Sequence, residues 1–279
     1  MIKKISITTL LILLFCLRIF AQQMIIGTYN LRFDNKADTG NLWVQRAPVI
    51  ASLIRFHQYD IFGTQEGYLN QLNDLSSALP EYARYGIGRD DGKDGGEHSA
   101  IFYRKDKFKL LKKGDFWLSE TPDKPGLGWD VTCCNRICSW VYLQDQKSGR
   151  KFYYFNAHYD YQGNARLESS KLILRKIKEI AGTEPAVFTG DLNGEHETEW
   201  YRLLAKSGFL RDTYNLVKHP YANNTSFNGF GKEVSGSGII DHVFVTKDFT
   251  ASRWGILTDT YHGKYPSDHC PILTEVTLK

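Results

Sequence analysis

The 279-residue chain is short of the features that mark special protein classes. It has no internal repeat, low-complexity tract or Pro/Ser-rich linker across residues 24–279, which excludes a solenoid and a string of small modules. No paired C-x-x-C occurs among the five cysteines, so zinc-finger and zinc-ribbon spacing is absent. Charge of one sign is scarce as well. With 35 Lys and Arg against 31 Asp and Glu, the net charge is only +4. Such a surface exerts no general pull on nucleic acid, although a local basic patch stays open. Long apolar runs are missing except at the start, where residues 5–15 are too few, and Arg18 follows too soon, for a comfortable membrane span.

That first run has the layout of an export signal. Lys3 and Lys4 precede it, and the small residue Ala21 follows it. Cleavage after Ala21 is expected, leaving residues 22–279 as one domain in the periplasm or outside the cell. Cys16 follows the bulky Phe15 and does not fit a lipidation site. Loss of Lys3, Lys4 and Arg18 lowers 35 basic residues to 32 against the same 31 acids, a mature charge of +1. An oxidising compartment permits a disulfide among Cys133, Cys134, Cys138 and Cys270. The neighbours Cys133 and Cys134 are poor partners, because a disulfide prefers a wider Cα separation. Small buried thiols are the other reading.

The rest is rich in short β-formers: 42% of residues are hydrophobic and 14% aromatic. Runs rich in Val, Ile, Phe and Tyr at 24–29, 61–64, 100–103, 137–143, 151–157, 186–189, 239–245 and 272–278 read as strands. Residues 43–56, 68–79 and 165–181 read as amphipathic helices, the last closed by Gly182. Many strands with few helices predict two packed sheets with helices outside. The long loops 86–97 and 121–134 are placed to frame a site.

Several of these strands end in polar residues. Asn30 closes the first, and Gln65-Glu66 the second. Asn156, His158 and Asp160 alternate along another, so they share a face if the strand persists. Asp191 and Asn193 follow the run 186–189, Asp241 sits between apolar neighbours, and Ser267-Asp268-His269 precedes the last strand. Singly, each reads as a turn former, a cap or a structural histidine. Together they are costly at the ends of buried strands unless paired or bound to metal. Phosphoester hydrolysis supplies one reason for the set. It needs a hard oxygen ligand such as Glu66 for Mg²⁺, a base for water and groups that stabilise the phosphoryl oxygens.

The ordered series Asn30, Gln65-Glu66, Asn156-x-His158, Gly190-Asp191-x-Asn193, Ile240-Asp241 and Ser267-Asp268-His269 resembles the endonuclease/exonuclease/phosphatase superfamily, of the deoxyribonuclease I-like fold. The resemblance spans nearly the whole mature chain. It implies a four-layer α/β/β/α sandwich of two mainly antiparallel sheets and dependence on Mg²⁺, with Mn²⁺ as a substitute. By motif position, Glu66, Asn30 and Asp268 are the implied metal group. His158, Asp191, Asn193, Asp241 and His269 are the implied catalytic group, with Asp241 orienting His269. Whether Asp191 or His269 takes the proton from water is open at this stage. Arg136, Asn156 and Arg32 are the implied contacts to substrate phosphate. Arg32 stands where abasic-site endonucleases carry an acid, which turns the reading away from abasic-site repair. The segments around Gly96-Glu97-His98-Ser99, Gly128-Trp129-Asp130 and Ala165-Arg166 resemble a bacterial branch of the superfamily without a defined substrate.

The expected function is therefore metal-dependent hydrolysis of a phosphodiester or phosphomonoester by a monomer. Nuclease activity would use a basic, aromatic groove, and a sphingomyelinase-like lipase would expose apolar loops to a bilayer. No clear apolar hairpin of that kind is present. A non-catalytic binding module on the same fold is the reading from another class. It would be marked by loss of Glu66, His158 or His269, and all three are in place.

Overall fold

The computed structural model describes residues 22–232 and 238–279, so the expected leader and its cleavage point lie outside the described residues. One six-stranded sheet has the order β11-β12-β1-β2-β4-β3. It comprises β1 (Gln22–Asn30), β2 (Ile61–Gln65), β3 (Tyr82–Tyr85), β4 (Ile101–Arg104), β11 (Phe249–Ile256) and β12 (Ile272–Leu278). The second has the order β5-β6-β7-β8-β10-β9. Its members are β5 (Phe108–Trp117), β6 (Ile137–Asp145), β7 (Lys151–His158), β8 (Ala186–Asp191), β9 (Arg211–Asp212) and β10 (Asp241–Val245). Only β1–β2 and β7–β8 are parallel pairs within these ladders. The fold is the predicted α/β/β/α sandwich.

Three apolar layers account for its thickness. Between the sheets lie Ile26 and Ile61 from one side and Phe152, Tyr154, Val187 and Val243 from the other. Outside the first sheet, Tyr29, Phe62 and Phe102 pack against α1 (Trp43–Phe56) and α2 (Leu69–Ala78) through Ile50, Ile54, Leu72 and Leu75. Outside the second, Phe155, Phe188 and Phe244 pack against α3 (Ala165–Ala181) and α4 (Glu199–Ala205) through Leu172, Ile177, Tyr201 and Leu204. Strand alternation produces this sorting. Along β7, Phe152 and Tyr154 face inward while Tyr153 and Phe155 face α3. Gly63 lets the sheets approach, since a Cβ there would lie 2.2 Å from Asn156 Oδ1.

The eight expected strands and three expected helices are all present within a few residues of their predicted limits. The four further strands, β3, β5, β9 and β11, are the four sheet edges. Edge strands face solvent and carry charge, as Lys109, Lys112 and Lys113 do on β5, so they lack a continuous apolar run.

The cysteine expectation needs correction. Cys133 and Cys134 are disulfide-bonded, with Cα atoms 3.7 Å apart. The ring closes across a single peptide despite a separation below the usual span. Cys138 and Cys270 are free and buried. Among the described residues, no helix is long and apolar enough to cross a membrane.

Candidate active site

At one end of the inter-sheet layer, the inward positions change from apolar to polar. β1 turns from Ile26 to Thr28 and Asn30, and β7 from Tyr154 to Asn156 and His158. The register then lines up three strands: Asp191 pairs with His158 on one side and with Asp241 on the other. Asp191 Oδ2 is the meeting point. It accepts from Asn30 Nδ2 at 3.0 Å and lies 3.6 Å from His158 Nε2 and 3.7 Å from His269 Nε2.

His269 is aimed by its other nitrogen. Nδ1 lies 2.8 Å from Asp241 Oδ2, which turns Nε2 toward Asp191. Burial opposes the charged ring, but the carboxylates of Asp241 and Asp191 outweigh it and hold the His269 pKa up to about 10. Burial, reinforced by Asp241, pushes Asp191 up to about 7. His158 is shifted the other way, well below the ordinary histidine range, by burial and by Arg136, Arg89 and His269. One imidazole is thus held cationic and the other neutral on either side of one carboxylate.

The metal-group candidates form the adjoining wall. Asn30 Nδ2 also donates to Glu66 Oε1 at 3.1 Å, and the Phe33 amide donates to Glu66 Oε2 at 3.1 Å. Asn30 Oδ1 accepts the Arg32 amide, so Asn30 orients Glu66 rather than standing free. The pKa of Asp268 is pushed up to about 6 by burial, against the pull of His269 and with Glu66 adding negative charge. A buried carboxylate with raised proton affinity, as at Asp268, suits a divalent cation, whose charge offsets the cost of burying the anion. The set Asp191, Asp241 and His269 also brings ligand atoms within 4.8 Å of one another. Its 2.8 Å Asp241–His269 bond already uses Nδ1 as a hydrogen-bonding atom, and the oxygen-rich Glu66/Asp268 wall fits a hard ion better.

Backbone strain accumulates here. Arg32, Glu66 and Asn193 have φ of 55°, 62° and 45°, each just past the end of β1, β2 or β8. Left-handed non-glycine residues cost about 1–3 kcal/mol each and persist where surrounding bonds over-determine them. Asn193 shows how: its amide N–H donates to Asp191 Oδ1 at 2.9 Å and its Nδ2 to the Tyr159 carbonyl at 3.1 Å. That same Nδ2 is 3.3 Å from His158 Nε2.

Three phosphate-contact candidates have protein partners. Arg136 donates from Nε to Asp160 Oδ2 at 3.2 Å while lining a small cleft with Glu66, Arg89, Glu97 and His158. Arg32 is bonded through Nε and Nη2 to Asp38, with Asp268 Oδ2 at 3.7 Å. Asn156 departs from expectation, because its side chain is saturated. It donates to the Thr64 and Ala100 carbonyls and accepts from Gln65 and Thr189, stitching the two sheets and leaving no atom for phosphate.

Other contributors escaped the sequence reading. Arg46, fully buried on α1, donates to the carbonyls of Leu31, Arg32, Asn41 and Pro266. It ties the end of β1 to the turn before Ser267, whose hydroxyl donates to the Asn30 carbonyl at 2.7 Å. A charge on the apolar stripe of Trp43 and Ile50 was the available signal. Arg89 was invisible within a polar loop, where it binds Glu97 at 2.5 Å.

A profile of the endonuclease/exonuclease/phosphatase family matches residues 27–269, and the chain belongs to that family. A Bacteroides thetaiotaomicron protein of the same family superposes with a TM-score of 0.90 at 45% identity, covering 93% of this chain and 99% of that one. The mannosyl-6-phosphatase of Bacteroides thetaiotaomicron gives 0.88 at 46% identity, over 91% and 99%. An uncharacterised protein of Acanthamoeba polyphaga mimivirus is 26% identical across 71% of this chain, which spans only 34% of that protein's length. The chain therefore has a phosphoester hydrolase's fold and family.

Proposed function

We propose that this protein is a divalent-metal-dependent phosphatase acting on a sugar phosphomonoester, exported after removal of residues 1–21. The convergence of Asn30, His158 and His269 on Asp191 Oδ2 carries the reading. The sugar-phosphate class is supported by 46% identity to a mannosyl-6-phosphatase. A mature charge of +1 offers little attraction for a polyanion.

Glu66 and Asp268 would hold Mg²⁺ or Mn²⁺, with Asn30 fixing the Glu66 carboxylate; the bound ion supplies positive charge to the phosphoryl oxygens. Asp191 takes the proton from the attacking water, because His269 already carries one. His269 donates from Nε2 to a phosphoryl oxygen as negative charge develops there. Asn193 orients His158 toward the departing alcohol. Water's oxygen bonds to phosphorus as its proton passes to Asp191, and the ester P–O bond breaks. The departing alkoxide, beside the neutral His158, takes its proton from solvent while Asp191 returns its own to solvent.

The test is phosphate release by the purified chain with Mg²⁺ or Mn²⁺ from mannose 6-phosphate, p-nitrophenyl phosphate and bis-p-nitrophenyl phosphate. The proposal expects monoesters to be cleaved faster than the diester, with activity lost to a chelator and restored by metal. Diester cleavage without sugar-phosphate turnover would overturn the substrate class. Activity that survives chelation would overturn the metal dependence.

A further inference from the structure

On the opposite face of β10 from Asp241, His242 points away from the phosphoester cleft toward Asp212 of β9 and His196 of the loop before α4. We propose that His196, Asp212 and His242 form a second metal site, for a divalent transition ion of the zinc class. Three observations support it.

Spacing comes first. Asp212 Oδ2 is 3.3 Å from His242 Nδ1 and 3.8 Å from His196 Nε2, and one ligand atom from each residue lies within 4.8 Å of the others. Zinc bonds of about 2.0–2.2 Å in a tetrahedron require ligand atoms roughly 3.3–3.6 Å apart. Small side-chain movements close the set around one ion.

Proton bookkeeping supplies the second. His242 Nε2 lies 2.8 Å from the Gly194 carbonyl, which can only accept, so Nε2 carries the hydrogen. A neutral ring then presents a bare Nδ1 lone pair to Asp212. That carboxylate already accepts from the Tyr201 hydroxyl on Oδ2 and from the Tyr214 amide on Oδ1. Two lone pairs facing each other in a buried pocket call for a cation or an extra proton between them. A backbone carbonyl on the far nitrogen is also the outer support that fixes a metal-binding imidazole.

The third is His196. Its Nε2 is buried without a hydrogen-bond partner and is directed at the same oxygen. Burial and the neighbouring His242 lower its proton affinity, which favours the neutral, ligating ring. Its side chain is 26% exposed, giving the ion a route in. Two imidazoles and one carboxylate select zinc-class ions over Mg²⁺, which prefers oxygen. Since Gly194 directly follows Asn193, a bound ion would fasten the Asn193 loop to the second sheet from behind.

The test uses the purified chain, stripped by chelator and held in excess Mg²⁺ to occupy the cleft. Zn²⁺ is titrated calorimetrically, and Co²⁺ is followed by its visible absorption, in wild type and His196→Ala. Wild type is expected to bind one more Zn²⁺ than the variant, to show a Zn²⁺-dependent rise in Tm that the variant lacks, and to give cobalt bands that the variant loses. His196→Cys should restore the extra equivalent and add cobalt–thiolate absorption. Equal Zn²⁺ stoichiometry and equal Tm response in wild type and His196→Ala, or no gain in His196→Cys, would overturn the proposal and leave His242 as an imidazolium paired with Asp212.

Discussion

Along β7 the inner face reads Phe152, Tyr154, Asn156, His158; along β8 it reads Val187, Thr189, Asp191; along β10, running the other way, Val245, Val243, Asp241. One set of strands thus builds both a hydrocarbon layer and a charged site. Two residues on one face span about 7 Å, so the medium changes within roughly that distance. The dry end serves the wet one. Apolar packing on one side and Asn156 stitching the sheets keep the strand ends fixed, and the low dielectric behind Asp191 strengthens its attraction to His269. Two ends of one layer therefore answer differently to mutation.

Asp191→Asn should have the largest effect. Removing the proposed base is expected to lower kcat by about 10²–10⁴-fold, with Tm nearly unchanged, because the amide oxygen can still accept from Asn30. Steady-state kinetics beside a thermal melt checks both halves, and a large fall in Tm with kcat intact would contradict the division. Ile61→Ala, at the dry end, should behave in reverse. A cost of about 2–5 kcal/mol in denaturant unfolding is expected, with kcat per folded molecule close to wild type.

The same contrast explains what the sequence disclosed. Central strands were legible because both faces are covered and their runs are apolar. The edge strands β3, β5, β9 and β11 were not, since solvent on one side permits Lys and Thr. Within the site, polar residues that interrupt apolar strands stood out: Asn30, His158, Asp191 and Asp241. Arg89 did not, because a charged residue in a polar loop breaks no pattern. Asn156 was visible as anomalous but misread. Polar spacing marks an inward side chain, and only the sheet-to-sheet contacts reveal that Thr64, Ala100, Gln65 and Thr189 already satisfy it. The Cys133–Cys134 bond was missed for a similar reason, as it depends on a local loop conformation that residue spacing does not encode.

In the proposed reaction Asp191 is an ionisable carboxylate acting as base opposite a histidine held cationic by Asp241. The pH dependence of kcat at constant Mg²⁺, in wild type and Asp241→Asn, tests it most directly. In wild type the rate should rise as Asp191 loses its proton near pH 7 and fall as His269 loses its proton near pH 10. With Asp241 neutral, His269 loses its strongest support, so the alkaline limb should move down toward the ordinary histidine value of 6.5, and the acid limb should move down as well because Asp241 no longer raises Asp191. An alkaline limb left in place by Asp241→Asn would show that Asp241 does not hold His269 cationic.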